Sequence, residues 1–146
     1  MATMGQVAGG HKRGVLSVSS QDSVFHALEM MASADVGALV VVDGARVAGL
    51  FTERDYARKV ILQDRNSRDS KVGDLMGDAV QVAQDTTLEQ GMALMATGTQ
   101  RVRYLVVVDD AARPVGVVSI GDLIKQQMAG QEVAIQAMEQ YIVGGR

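Results

Sequence analysis

The residues best suited to chemistry occur twice, in the same arrangement. One copy reads Gly49-Leu-Phe-Thr52-Glu53-Arg54-Asp55; the other reads Gly116-Val-Val-Ser119-Ile120-Gly121-Asp122. In each, a hydroxyl residue ends an apolar run and a carboxylate follows three residues later. Where a strand gives way to a helix, the leading N–H groups and the partial positive charge can hold a phosphate. The Thr52 or Ser119 hydroxyl could join that contact, and Asp55 or Asp122 could accept two hydrogen bonds from a ribose diol. A purely local role is also open: Thr52 and Ser119 as N-caps, with the aspartates favouring the helix dipole. Spacing alone favours the local role. Duplication does not separate the two, since a duplicated fold duplicates its caps.

The copies differ at charged positions. Arg54 corresponds to Gly121, Glu53 to Ile120 and Arg58 to Lys125, while Gly37-Ala38 corresponds to Arg103-Tyr104. Arg54 and Arg58 are four apart and share a helix face, where forked guanidinium hydrogen bonds suit phosphate. The alternative is a solvated surface, with Glu53 and Asp55 as local partners and with Arg101 and Arg103 as strand-edge charges. The differences lead us to expect different ligands or phosphate counts at the two copies.

The elements that must position these residues repeat as well. Val24 aligns with Leu88 at an offset of 64, LVVVD at Leu39 with LVVVD at Leu105 at 66, and Asp55 with Asp122 at 67. Val24, Ala27, Leu28 and Met31 follow the spacing of one helix face, as do Leu88, Gly91, Met92 and Met95. Asp22-Ser23 precedes the first helix; Thr86-Thr87 precedes the second, with Glu89 and Gln90 placed for a capping box. Leu39–Val42 and Leu105–Val108 are apolar throughout, which implies strands buried on both faces. Asp43-Gly44 signals a hairpin, and Asp109–Pro114 a longer loop. Second strands follow at Val47–Phe51 and Val115–Val118, then helices at Glu53–Leu62 and Gly121–Met128, and short strands near Val15–Val18 and Val80–Val82 lead each unit. The predicted class is α+β, a tandem pair of β-α-β-β-α repeats packed with pseudo-two-fold symmetry. Its expected parts are a flexible arm over 1–14, repeat one over 15–62, a polar linker over 63–71, repeat two over 72–129, and an amphipathic helix over 131–143 ending near Gly144-Gly145. Units of this size are marginal alone, and face-to-face packing would leave two equivalent clefts.

Composition excludes several classes. Cysteine is absent, so disulfides and thiol nucleophiles are out, and two histidines, His11 and His26, offer little for a metal site or relay. His26 reads as a surface residue, and His11 sits in a glycine-rich arm. Fourteen basic against 17 acidic residues give a net charge of −3, and aromatics are 3%. Both argue against nucleic acid as a partner. The longest apolar run, Val36–Val42, falls far short of the about 20 residues of a membrane span. No signal peptide opens the chain, so a soluble, cytoplasmic protein without a membrane partner is expected. The nine methionines read as gap-filling core or interface residues. The tail, with Ile135, Met138, Tyr141 and Ile142, reads as a dimer or partner contact.

The duplicated unit, its LVVVD strands and the Gly-x-x-Thr/Ser-x-x-Asp endings resemble a CBS-domain pair, or Bateman module, over Val15 to about Met128. The resemblance implies a regulatory module, often dimerised into a flat disc. It implies a bound adenosine ligand: AMP first, with ADP, ATP, NAD(H) or S-adenosylmethionine as others. It implies ribose contacts from Asp55 and Asp122 and phosphate contacts from Thr52 and Ser119. Arg54, Arg58, Arg103, Tyr104 and Ile120 would stand near the phosphate or base. Val15-Leu16 with Ala38-Leu39, and Ala79-Val80 with Tyr104-Leu105, would line the adenine pockets. With no P-loop and no evident nucleophile, an enzyme is not expected. The output would run through a homodimer or an unidentified partner. The other readings are an interaction protein with vestigial sites and, more weakly, a nucleotide-processing enzyme.

Overall fold

The computed structural model describes residues 2–9, 15–96 and 102–144. His11, Arg101 and Gly145 lie outside them, as do the side chains of Ile135, Tyr141 and Ile142.

Each repeat builds one three-stranded sheet of the same topology. In repeat one, β1 (Ser17–Ser19) runs parallel to β2 (Ala38–Asp43), which pairs antiparallel with β3 (Arg46–Thr52). In repeat two, β4 (Gln81–Ala83), β5 (Tyr104–Val108) and β6 (Pro114–Ser119) repeat that order and sense. Even the register irregularities correspond, between Val41 and Val42 and between Val107 and Val108.

Helices start where capping residues stand. α1 spans Met4–Gly9 and α2 spans Val24–Ala34. Ser23 caps α2 by accepting from the His26 N–H, and Asp35 ends it in the left-handed region at φ 54°. α5 (Leu88–Ala96) opens on a reciprocal box, in which Thr87 N–H donates to Gln90 Oε1 and Gln90 N–H to Thr87 Oγ1. The β2–β3 hairpin turns on Gly44 and Ala45, with Gly44 at φ 65° where a side chain is disfavoured. The longer loop of repeat two is held by Asp109, whose Oδ1 accepts from the N–H groups of Ala111 and Arg113. The Arg113 N–H is the main reason that the Asp109 carboxyl lies below the usual carboxylate range.

Alternate side chains on the central strands go to different cores, which is why LVVV is apolar on both faces. Leu39 and Val41 pack under α2 with Val18, Val24, Met31 and Phe51. Leu105 and Val107 pack with Met4, Leu88, Val118 and Leu123. The opposite faces, Ala38, Val40, Leu50 and Val106, form a third cluster that joins the repeats, flanked by Tyr104, Val108 and Val117.

Two expected boundaries are corrected. Residues 2–9 are not part of a loose arm. Met4 is wholly buried in the repeat-two core, and its N–H donates to Thr86 O at 2.7 Å. α4 (Val72–Leu75), at the start of repeat two, packs in the repeat-one core. Each repeat's leading helix thus sits on the other repeat. The polar segment 63–71 is mostly exposed yet docked: Ser70 O and Ser67 O accept from the N–H groups of Val24 and Phe25, and the Arg68 guanidinium lies over the Phe25 ring. The expected helices over 121–128 and 131–143 are one, α6 (Ile120–Gly144). Nothing between them breaks a helix: Gly130 costs only about 1 kcal/mol relative to alanine there. The helix after β3 also differs from expectation. One α-turn, α3 (Glu53–Asp55), passes into a π-helix, Tyr56–Ile61.

Candidate functional site

The two motif ends are capped alike. Thr52 is the N-cap of α3: its Oγ1 accepts from Asp55 N–H at 3.1 Å, and Asp55 Oδ2 accepts from Thr52 N–H and Thr52 Oγ1 at 3.0 Å each. Repeat two has the two backbone bonds of this cap: Asp122 N–H donates to Ser119 Oγ at 3.1 Å and Ser119 N–H to Asp122 Oδ2 at 2.8 Å. The next donors are also used, since Glu53 N–H bonds Gly37 O and Ile120 N–H bonds Arg103 O. The capping role that spacing favours is present at both ends, with the first and third N–H groups of each helix occupied. The hydroxyl and carboxylate of each motif are both engaged in the cap, and the residue after each cap ties its helix to the residue before the central strand, Gly37 or Arg103.

This lock fixes the carboxylates in space. Asp55 spends Oδ2 on the cap; Oδ1 pairs with Lys59 Nζ at 3.2 Å. Lys59 also donates to Leu75 O at 3.2 Å, so the motif of repeat one is tied to the end of α4. The widened π-turn carries Lys59 there while Val60 enters the core. π-turns often mark functional sites. Repeat two has Gln126 at the Lys59 position. Neither Lys59 nor the Met76-Gly77 crossing was marked by the sequence reading. Their role depends on where the exchanged segment passes, and its signal is the pair Met4-Gly5-x-Val7 and Val72-Gly73-x-Leu75 at an offset of 68.

That segment packs on both motif glycines. A Cβ on Gly49 would lie 2.7 Å from Gly77 O and Met76 Sδ, and one on Gly116 would lie 2.8 Å from Ala8 Cβ. Glycine stands at the head of each motif because another chain segment crosses there.

The remaining candidates are distributed as follows. Arg54, Arg58, Arg103 and Lys125 are exposed, and Ile120 is 43% exposed. Val15 and Val80 are half-buried, with Val80 O accepting from Val106 N–H. Leu39 and Leu105 give their side chains wholly to the cores, so what either can offer a ligand is backbone. Ala38 lies in the seam between repeats. Tyr104 crosses that seam: its hydroxyl lies beside Gly37, near Glu53. Burial first, then the Glu53 and Asp122 charges, push its pKa above the ordinary tyrosine value, against the pull of Arg103. A groove of about 470 Å³ on the outer face of α2, lined by Leu16, His26, Glu29, Met30, Ser33 and Ala34, contains none of the motif residues. Among the described residues, no helix is long and apolar enough to cross a membrane.

The CBS domain family matches this chain twice, over residues 7–62 and 72–129. The chain belongs to the CBS-domain family. Its two matches coincide with the two sheet-bearing units, so the molecule is a CBS pair. The mitochondrial CBS domain-containing protein CBSX3 of Arabidopsis thaliana is 37% identical over 133 residues, which are 87% of this chain and 63% of that protein. This CBS pair therefore spans less than two thirds of that relative. A solved CBS-domain protein from Burkholderia ambifaria is 39% identical with a TM-score of 0.78, covering 89% of this chain and 96% of the other. Arabidopsis CBSX2, solved in complex with AMP, superposes with a TM-score of 0.70 at 24% identity, covering 90% of this chain and 99% of that one, a likeness of fold.

Proposed function

We propose that this CBS pair is a regulatory module that binds an adenosine ligand and passes the binding on through a change of shape. The observation that carries this reading is the repeated motif itself. Two carboxylates, Asp55 and Asp122, are held in the same way at the same strand-to-helix junction of both repeats. A carboxylate has about four lone-pair sites, so one occupied by a cap can still accept from ribose hydroxyls. Asp55 and Asp122 would take the ribose diols, and Thr52 and Ser119 would lie toward the phosphates. Arg54, Arg58 and Arg103, being exposed, are free to turn toward added charge. Val15 and Ala38, and Val80 and Tyr104, would flank the bases.

AMP is the first candidate, with ADP, ATP and NAD(H) as others. A structural neighbour in complex with AMP supports that order. Any output requires different affinity for two states. The receiver would be a regulated protein or a second copy. Ile120, Ile124 and Met128 form an exposed stripe on α6, near 43, 46 and 62% accessible, which suits self-association. Binding rather than turnover fits the stand-alone CBS-domain relatives, and product analysis with ATP or NAD(H), with and without Mg²⁺, checks it.

The motif locks also favour a second reading. Capping alone explains Thr52, Ser119 and both aspartates, as in an interaction protein without working sites. A thermal-shift panel on nucleotide-free protein separates the two. Ligand at about 100 times its Kd adds roughly 2.7 kcal/mol, a rise of several degrees for a chain of this size. A shift with one class of adenosine ligand supports the sensor. No shift with AMP, ADP, ATP, NAD⁺, NADH or S-adenosylmethionine on folded protein supports the interaction protein.

A further inference from the structure

Glu53 and Tyr104 come from different repeats and converge on one point of backbone. A Cβ on Gly37 would lie 3.0 Å from Tyr104 Oη and 3.6 Å from Glu53 Oε2. Both residues are anchored. Glu53 N–H donates to Gly37 O at 3.0 Å, which fixes the base of its side chain at the head of β2. Tyr104 pairs in register with Ser119 and packs against the cluster that joins the repeats. The phenol is sensitive to charge on both sides, since Glu53 and Asp122 each raise its pKa.

The corresponding place in the other half is built differently. Where repeat one has Gly37, Ala38 and Glu53, repeat two has Arg103, Tyr104 and Ile120. One half presents a carboxylate next to its hydroxyl-bearing cap, followed by Arg54 and Arg58; the other presents an aliphatic chain and the Arg103 guanidinium, followed by Gly121 and Lys125. Glu53 directly follows Thr52 at the start of α3, one residue from where a phosphate would lie.

Resting on the sensor reading, we infer that Glu53, which shares the Gly37 backbone with the Tyr104 hydroxyl, opposes the pull of Arg54 and Arg58 on added phosphate and so tilts the Thr52–Asp55 site toward nucleoside monophosphates over di- and triphosphates. Each further phosphate adds negative charge next to a carboxylate that has no counterpart in repeat two. Like charges a few ångströms apart repel about four times more strongly at the surface of a protein than in bulk water. Glu53 is exposed, so the effect belongs near the bulk-water end, about three- to tenfold in the ratio of affinities. Around Arg103 and Ile120 no such penalty operates, and the guanidinium favours added phosphate.

The test is calorimetric titration of AMP, ADP and ATP into the full chain, nucleotide-free, as wild type, Glu53→Gln and Tyr104→Phe. Glu53→Gln keeps the shape and removes the charge. It is expected to raise ATP affinity relative to AMP by about three- to tenfold at low salt. That gain should shrink as salt shortens the screening length. Tyr104→Phe, which keeps the ring and removes the hydroxyl, is expected to change the ratio less and without salt dependence. Nucleotide binding whose ATP-to-AMP ratio is unmoved by Glu53→Gln, or moved equally at all salt concentrations, overturns the inference and leaves the sensor reading standing. Absence of binding by any of the folded proteins overturns both.

Discussion

Met4 and Val72 occupy equivalent positions in opposite repeats. Met4 N–H donates to Thr86 O at 2.7 Å in repeat two, and Val72 N–H donates to Asp22 O at 2.9 Å in repeat one. Both side chains are wholly buried. The exchange makes each core depend on the other repeat's leading segment, so the two halves are expected to unfold together.

Met4→Ala is therefore expected to destabilise the whole chain. A fully buried methionine cut to alanine costs about 2–5 kcal/mol. Urea denaturation followed by far-UV circular dichroism should show one transition at a lower midpoint. An unchanged midpoint would return residues 2–9 to a loose arm.

Gly49→Ala and Gly116→Ala should differ in cost. The added methyl at 49 meets a backbone carbonyl, Gly77 O, at 2.7 Å; at 116 it meets the side chain of Ala8 at 2.8 Å. A carbonyl fixed in a paired segment yields less than a short helix can shift. Gly49→Ala is expected to cost about 1–3 kcal/mol and Gly116→Ala less, measured by the same denaturation.

Much of this arrangement could be read in the chain. The LVVVD strands, the Gly44 turn and the Thr87–Gln90 cap follow from local chemistry, and the repeat multiplied each signal. The exchange could not be read that way. α1 and α4 are too short for periodicity to declare them, and their partners lie far along the chain. The motif residues were visible, but their mutual locking was not, because spacing alone cannot say whether a hydroxyl caps or waits for a ligand. Lys59, and the place of the Tyr104 hydroxyl, were harder still. One is placed by a π-turn and a crossing segment, the other by contact across the seam.

Tyr104 gives a pH signature. Its phenol is raised above the ordinary tyrosine value, by burial first and by Glu53 next, so the folded state prefers the neutral form. The stabilisation is complete below the ordinary tyrosine pKa, about 10, and is lost as pH climbs through the raised value. Ultraviolet titration should show one tyrosine ionising late, absent in Tyr104→Phe and shifted back toward the ordinary value in Glu53→Gln. A late tyrosine insensitive to Glu53→Gln would separate the two residues.

The exposed stripe on α6 is expected to hold two copies together. Ile124→Glu and Met128→Lys place charges on a face now 46 and 62% accessible, with little cost to the monomer. Sedimentation should show the wild type larger than a single chain and both variants as single chains. A monomeric wild type would remove self-association as the route of output.

The most direct test of the two-site sensor is calorimetric titration of AMP into nucleotide-free wild type, Asp55→Asn and Asp122→Asn. Asparagine keeps an acceptor for the cap and removes the charge that a ribose diol would bond. The expected result is binding in the wild type, with each variant losing about tenfold or more at its own repeat and little at the other. Folded wild type that binds no AMP, or two variants that bind as the wild type does, would contradict the assignment of ribose to Asp55 and Asp122.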